Sequence, residues 1–436
     1  MSVQVERGLH FISNMPTSHP VKSLNSKVFA IFVWIWALLA PVPGLSAPRV
    51  PTDSAELLER LPIRPGDATA RELADMRAAV NRAAKDTPDD ALPATLLAER
   101  YYDLAVARGD PRYVGYADAV MARFDQSMSP AVLAMRGQLR QYRHDFEGAL
   151  ADFSNALKSD PQFASAHAWR GAIFLVQANY PAADGECEAL QRLGRSALFG
   201  ACIGMVRAYS GQLEAGSAAL QRALNEANDI GNRQWLLTRL GEVAAWRGQF
   251  DKAEQYYRSA LALGLDDGYL LAAWSDFLLD QKRPAEVVKW LANWEASDGL
   301  LLRLAMAETA LKLPSAKAHV QALADRFAVA KARGDTTHRA EEARYELQLA
   351  RNAAAALAVA VANYKVQREP RDARPLLEAA IAAQDAAAAQ PVRDWLQSSG
   401  FEDANLRQLG ATSARVRATL PAGVPEASYS KAVPKP

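Results

Sequence analysis

Residues that could carry enzymatic chemistry are few in this sequence, and their spacing matches no catalytic or metal-binding motif. The chain has six histidines in 436 residues, and no two of them stand at the spacing of metal ligands on one helix. There is no HExxH, no CxxC, no glycine-rich phosphate-binding loop and no nucleophile with a base at a readable distance. These observations predict a protein that is not an enzyme and that binds no metal or cofactor.

The composition is that of an ordinary folded chain without a strongly charged partner. Half of the residues are apolar, 23% are charged, and the formal net charge is +1. A balance so close to zero provides no long-range field for a nucleic acid or an anionic membrane surface. We therefore expect no nucleic-acid partner, and a membrane contact only through the N-terminal segment if that segment is retained.

Residues 1–46 have the layout of a secretory signal. Val28–Ala40 is an uncharged apolar run, Lys22 and Lys27 precede it, and a stretch of prolines and small residues leads to a cleavage site before Ala47. The alternative is an uncleaved membrane anchor, although two prolines leave the apolar run short for a bilayer. In both cases the positive flank stays inside, and the rest of the chain is exported to the periplasm or out of the cell.

A repeat with a nearly constant period runs through the middle of the chain. Its first position is held in turn by Gly137, Gly171, Gly204, Gly241 and Ser275. At fixed offsets after this position, most copies have a small residue, then a bulky one, then a second small one, as in Ala149, Phe153 and Ala156 or in Ala253, Tyr257 and Ala260. This pattern predicts helical hairpins, because two antiparallel helices approach closely only where side chains are small.

The repeat resembles the tetratricopeptide repeat, here in a protein of exported bacterial type. The Gly, Ala, aromatic, Ala and Pro positions of that family's signature are matched in order by Gly137, Ala149, Phe153, Ala156 and Pro161, and the resemblance is strong over residues 130–296. It implies an all-α fold, a right-handed superhelical solenoid of antiparallel helix hairpins with a concave inner face. No series of segments shows the period-two alternation of β-strands.

The flanks of the clear repeats continue the same pattern. We expect the solenoid to cover residues 93–408 with about nine hairpins. Residues 47–92 are interpreted as a linker and an N-terminal capping helix, with Asp67 as the residue that caps it. Residues 409–436 are rich in Ala, Pro and Ser with few large apolar residues, which favours a mobile C-terminal tail.

The resemblance also implies where a partner would bind. In tetratricopeptide arrays the exposed face of the first helix of each hairpin lines the concave groove. At the fifth position after the repeat glycine, this face would present Tyr142, Val176, Tyr209 and Trp246, with Gln138, Trp235 and Glu242 on the same surface. Aromatic side chains in a groove are typical anchors for a peptide. The alternative is that these residues bury against the next hairpin and complete the core.

The two cysteines leave two alternatives open. Cys187 takes the bulky position in the second helix of its hairpin, and Cys202 lies at a similar height in the first helix of the next one. In an exported protein nothing would keep the pair reduced, so a bridge is possible if the Cα atoms come within about 7 Å. Otherwise both residues fill the core as small apolar side chains.

These observations predict a non-catalytic scaffold of the cell envelope that holds a protein or peptide partner in its concave groove. The alternative is a substrate-presenting or assembly subunit of an envelope enzyme or transport complex whose chemistry is on another chain. Neither prediction identifies the partner, because a solenoid sequence does not encode it in a readable motif.

The export prediction can be tested with a phosphatase that folds only under oxidising conditions. Joined after Arg60, the phosphatase should be active, because Lys22, Lys27 and the Val28–Ala40 run direct the fusion across the membrane. A fusion that begins at Ala47 is the control and should be inactive. Equal inactivity of both fusions, in a host that reads such signals, would contradict export.

Overall fold

The computed structural model describes residues 67–416, and 77% of these residues are helical. They form twenty α-helices and one short 3-10 turn, and no strand occurs between residues 67 and 416. The predicted signal at residues 1–46, the linker up to residue 66 and residues 417–436 lie outside the described residues. The predicted all-α fold is confirmed.

One capping helix precedes nine hairpins, and one further helix follows them. We number the helices along the chain, so that even numbers from α2 to α18 are the first helices of hairpins and odd numbers from α3 to α19 are the second. Their bounds are α1 Ala68–Asp86, α2 Leu92–Arg108, α3 Arg112–Met121, α4 Pro130–Tyr142, α5 Phe146–Ser159, α6 Ala164–Val176, α7 Tyr180–Arg192, α8 Ser196–Tyr209, α9 Leu213–Glu226, α10 Ile230–Trp246, α11 Phe250–Leu261, α12 Gly268–Asp280, α13 Pro284–Leu291, α14 Asp298–Leu311, α15 Ala316–Ala332, α16 Arg339–Gln348, α17 Ala353–Tyr364, α18 Pro370–Ala382, α19 Gln390–Ser399 and α20 Ala404–Arg415.

The turn inside every hairpin contains one residue in the left-handed conformation. After that residue the chain leaves the first helix, as when the Asp145 amide donates to the carbonyl of Arg140. Only three of these positions are glycine. At each of the other six, the left-handed backbone conformation costs roughly 1 kcal/mol or more, because the residue has a Cβ atom. The nine residues, with φ between 56° and 77°, are Gly109, His144, Ala178, Gly211, Gly248, Lys282, Lys312, Arg351 and Gln384.

The repeat glycines lie where the two helices of a hairpin touch. A Cβ atom on Gly137 would come within 2.8 Å of the Phe153 ring, and one on Gly241 within 2.9 Å of the Tyr257 ring. Phe153 and Tyr257 are buried, at 0% and 2% exposure. The ring therefore packs directly onto the backbone of the facing helix, in the register that the repeat pattern predicts.

The two cysteines form a disulfide that links α7 to α8, and thus the third hairpin to the fourth. The Cα atoms of Cys187 and Cys202 are 5.5 Å apart. A Cβ atom on Gly171 would be 3.3 Å from the sulfur of Cys202. In this hairpin the bridge fills the space beside the glycine that Phe153 fills in the second hairpin and Leu220 fills in the fourth. Of the two alternatives for these cysteines, the structure contains the bridge.

The second half of the array lies against the turns of the first half. The Arg368 amide donates to the carbonyl of Val176, and the Trp395 indole donates to the Tyr180 hydroxyl over 2.7 Å. Nearer the N-terminus, a Cβ atom on Gly109 would collide with the side chain of Ser297. These contacts join residues far apart in sequence, whereas each repeat of a simple solenoid contacts only its neighbours.

The interpretation of residues 409–436 as a mobile tail does not hold for residues 409–415, which belong to α20. Asp403 caps this helix by accepting a hydrogen bond from the Leu406 amide, and Leu406 is 4% exposed. Gly410 lets the helix approach α19, since a Cβ atom there would be 2.9 Å from Leu396. The segment is short of large apolar residues because small ones make its close contacts.

The substitution Gly241→Leu tests the glycine–ring contact. The new side chain must displace Tyr257, and overpacking of this kind costs about 1–3 kcal/mol of unfolding free energy. Gly185→Leu is the matched control, because this helical glycine has open space around its Cα and leucine is the better helix former. Equal thermal unfolding of the two variants would show that the assigned register is wrong.

Candidate functional site

The four residues of the predicted groove row lie at the last turn of their helices, where other parts of the chain cover them. Tyr209 is 2% exposed, and its hydroxyl donates to Oε1 of Glu369 over 3.1 Å. Burial raises the pKa of Tyr209 well above its usual value. This tyrosine is therefore part of the core between the two halves of the array, and its ring is not free for a partner.

Trp246 is likewise occupied by the chain itself. Its ring centroid is 5.7 Å from that of Tyr209 and 5.3 Å from that of Phe401, which is fully buried. Val176 is partly buried against the core cluster of the second and third hairpins, and its carbonyl accepts a hydrogen bond from the Arg368 amide. Of the two alternatives for this row, the structure shows burial for Tyr209 and partial burial for Val176 and Trp246.

Tyr142 and Gln138 lie nearer the N-terminal end, on α4. The Tyr142 ring meets the Tyr102 ring edge-on at 6.2 Å, and burial raises the pKa of Tyr142 to about 12. Gln138 is half-buried on the same helix. Tyr142 thus supports the packing between the first two hairpins.

A different row of inner-face positions stays open. Trp235 and Leu198 are 36% and 37% exposed, and Trp235 precedes the left-handed Gly248 by the same interval as Leu198 precedes Gly211. Leu96 holds the equivalent place before the turn of the first hairpin and is 47% exposed. We call Leu96, Leu198 and Trp235 the open row. Trp235 is the one predicted groove residue with a large exposed apolar surface.

Charged and aromatic side chains meet next to Trp235. The Arg239 guanidinium lies 5.2 Å from the Trp235 ring and 4.3 Å from the Tyr269 ring, and it donates to Oε2 of Glu242 over 2.9 Å. The Tyr269 hydroxyl donates to Oε1 of Glu242 over 2.6 Å. Arg371 adds a second guanidinium 5.5 Å from the Tyr269 ring. Each carboxylate oxygen of Glu242 therefore has a partner within the chain, and the cluster holds Arg239 against the Trp235 ring.

A second ion cluster joins three successive first helices. Asp276 on α12 accepts from Arg303 on α14 and from Arg344 on α16, with shortest distances of 2.6 and 2.8 Å. Burial alone would raise the pKa of Asp276, but the two guanidinium groups outweigh it and hold the pKa well below its usual value. The Asp276 carboxylate is thus ion-paired to both guanidinium groups. The cluster fixes α12, α14 and α16 relative to one another, and its carboxylate stays ionised.

Neither a metal-binding group nor a membrane-spanning helix occurs in the described part of the chain. Within residues 67–416, no three side chains of His, Cys, Asp or Glu are grouped so that they could hold a metal ion. Among the helices of this same part of the chain, none combines the length and apolar character needed to cross a bilayer.

Sequence reasoning missed the residues that close the array. Phe401 and Glu369 follow no repeat position, and their partners Trp246 and Tyr209 are far away in the chain. Tyr269 and Arg371 do stand at a repeat position, since each precedes the left-handed residue of its hairpin by the same interval as Trp235 precedes Gly248. One local signal was available: Glu369 and Asp372 form a reciprocal capping box at the start of α18, and Glu–x–x–Asp before a helix is a readable pattern.

Comparisons with known proteins return fold relatives only. No family model and no curated protein matches the chain. Similar solved structures include a tetratricopeptide repeat protein from Parabacteroides merdae ATCC 43184, 14% identical over 55% of this chain and 93% of that chain with a TM-score of 0.43. The APC/C hetero-tetramer Cut9–Hcn1 is 13% identical over 78% and 66%, with a TM-score of 0.46. The human IFIT1 dimer with m7Gppp-AAAA is 14% identical over 80% and 86%, with a TM-score of 0.41.

These similarities concern the fold alone. The class of the protein follows from its own geometry. Nine hairpins, four of them with the predicted glycine at the contact between their helices, make the described residues an all-α solenoid of the tetratricopeptide type.

The Asp276 cluster predicts a pH-dependent stability. Asp276→Asn should lower the unfolding free energy at pH 7 by about 2 kcal/mol, because charge-assisted hydrogen bonds to two arginines are lost. The pKa is depressed in the folded state, so the wild-type advantage is complete above about pH 3.9 and shrinks as the pH falls further.

Denaturant titrations of the wild type and the variant between pH 7 and pH 3 measure this difference. Asp251→Asn is the control, since Asp251 is exposed and should change stability by less than about 0.5 kcal/mol. A gap between Asp276→Asn and wild type that widens toward low pH would contradict the assignment.

Proposed function

We propose that this chain is an exported, non-catalytic scaffold of the cell envelope that binds a protein or peptide partner on the open row. The observation that carries the proposal is the exposed indole of Trp235, which contacts the Arg239 guanidinium, whereas Tyr209 and Trp246 of the predicted groove row are wholly or partly covered. A rigid aromatic side chain that is partly open and fixed by its neighbours has the properties of a binding hot spot.

Export is supported by two independent features. The disulfide between Cys187 and Cys202 is of the kind that forms and persists in oxidising compartments, and reducing agents in the cytosol oppose it. The apolar run Val28–Ala40 after Lys22 and Lys27 provides the means of reaching such a compartment. A periplasmic or secreted location, or a membrane-anchored one outside the cytoplasm, is consistent with both.

The open row also bears on the chemistry of the partner. Leu96, Leu198 and Trp235 favour apolar or aromatic side chains. The near-zero net charge gives no support for nucleic acid as the partner. If the partner is a subunit of an envelope enzyme or transport complex, the same row would serve as the assembly surface.

Substitution of Trp235 tests the proposal. Trp235→Ala should weaken capture of the partner from envelope extracts by at least about tenfold, as expected for the loss of an aromatic hot spot. Trp290→Ala is the matched control, because Trp290 has a similar exposure of 38% but lies on α13, a second helix. Quantitative mass spectrometry of the co-purified proteins measures the effect. Equal capture by the wild type and both variants would overturn the binding role of the open row.

A further inference from the structure

A two-residue element of the chain itself, Phe401–Glu402, is seated on the edge formed by the fourth and fifth hairpins. The Phe401 side chain is fully buried, with ring centroids 5.3 Å from Trp246 and 6.3 Å from Tyr209. These two partners lie several hairpins earlier in the sequence. Phe401 therefore fills an aromatic pocket that belongs to another part of the array.

Glu402 completes the contact through the start of α9. Its Oε2 accepts a hydrogen bond from the Leu213 amide over 2.8 Å. Gln212, the residue before this helix, provides no side-chain cap, so the carboxylate of Glu402 satisfies a helix N-terminus that the local sequence leaves open. The aromatic pocket and the Leu213 amide lie next to each other, so together they fit an aromatic residue that is followed by a carboxylate.

The backbone of this edge fits closely against the element. A Cβ atom on Gly211 would be 2.6 Å from the carbonyl oxygen of Gly400, so the two chain segments pack without an intervening side chain. On the side of its own hairpin, the element is held by Trp395, whose ring centroid is 5.3 Å from that of Phe401, and by Arg407, which donates to the carbonyls of Gly400 and Phe401 over 2.7 Å. Its contacts with the edge itself are made by the Phe401 ring, the Glu402 carboxylate and the Gly400 backbone.

We propose that this edge, formed by Tyr209, Trp246 and the Leu213 amide, is a binding site for an aromatic–acidic peptide segment. In the structure Phe401–Glu402 occupies it as an intramolecular ligand. A partner segment with an aromatic residue followed by Asp or Glu can take its place once Phe401 leaves the pocket. This site is distinct from the open row and does not depend on the function proposed for that row.

The intramolecular connection sets the condition for exchange. A tethered segment competes at an effective concentration on the order of millimolar, so an untethered peptide with the same contacts does not displace it at micromolar concentration. The wild type should therefore ignore such a peptide, whereas a variant without the internal occupant should bind it. The difference between the two proteins isolates the site from any other binding surface.

The test uses the full-length exported chain and a synthetic peptide that spans Ser398–Leu406. In the double variant Phe401→Ala/Glu402→Gln, the Leu213 amide should exchange its hydrogen about tenfold faster than in the wild type, because its charge-assisted acceptor is lost. Peptide at millimolar concentration should restore the protection, and a peptide with Phe401 and Glu402 both replaced by Ala should not. Phe250→Ala/Glu226→Gln, on an exposed ring and an exposed carboxylate, is the control variant.

Local exchange also reports whether the variant folds. Protection in α2 and α3 should stay at the wild-type level, and if the double variant loses it, Glu402→Gln alone is used with the same peptides. Faster exchange at Leu213 that only the native peptide reverses supports the proposal. Unchanged exchange in a folded variant, or faster exchange that the native peptide fails to reverse, overturns it.

Discussion

The architecture depends on one close contact, repeated along the chain, between a helix backbone and a bulky side chain of the facing helix. Gly137 and Gly241 have no Cβ atom, so the rings of Phe153 and Tyr257 lie directly on the helices that contain these glycines. The contact sets the distance between the helices of a hairpin and leaves the first helices free to line an inner face. In the third hairpin a disulfide takes the place of the ring, so the same contact also joins two hairpins covalently.

Closure of the array on itself is the second constraint, and it changes what the inner face can do. Hydrogen bonds from Tyr209 to Glu369, from the Leu213 amide to Glu402 and from Trp395 to Tyr180 join residues 160, 189 and 215 positions apart. A simple solenoid is stabilised by neighbours and can open at any repeat. Here the long-range bonds make the middle and the C-terminal hairpins depend on each other. The same contacts bury Tyr209 and cover part of Trp246, whereas Trp235 stays exposed.

The hairpins could be predicted from the sequence because their contacts are local. The spacing from Gly137 to Phe153, or from Gly241 to Tyr257, reports directly on which residues touch. The turn conformations were harder to predict from the sequence, because His144, Ala178 and Lys282 adopt the left-handed conformation although they are not glycine. The fate of Tyr209 could not be predicted, because its burial depends on Glu369 and Phe401, and no local pattern encodes a contact over such a separation. The prediction of a mobile tail at residues 409–415 was wrong because Gly410, which lacks a side chain, allows α20 to contact Leu396 closely.

The contact between Phe401 and Trp246 is the most direct evidence for a closed array, and nuclear Overhauser spectroscopy can detect it. With Phe and Trp ring protons selectively labelled in an otherwise deuterated protein, the two rings, with centroids 5.3 Å apart, should give a cross-peak between distant parts of the sequence. Substitution of Phe401 by leucine should remove that peak and assign it. The closed array predicts the cross-peak in the oxidised, unliganded protein. Its absence there, with the Trp246 indole signal well resolved and the Phe153–Trp169 contact present as an internal standard, would show that the halves do not meet.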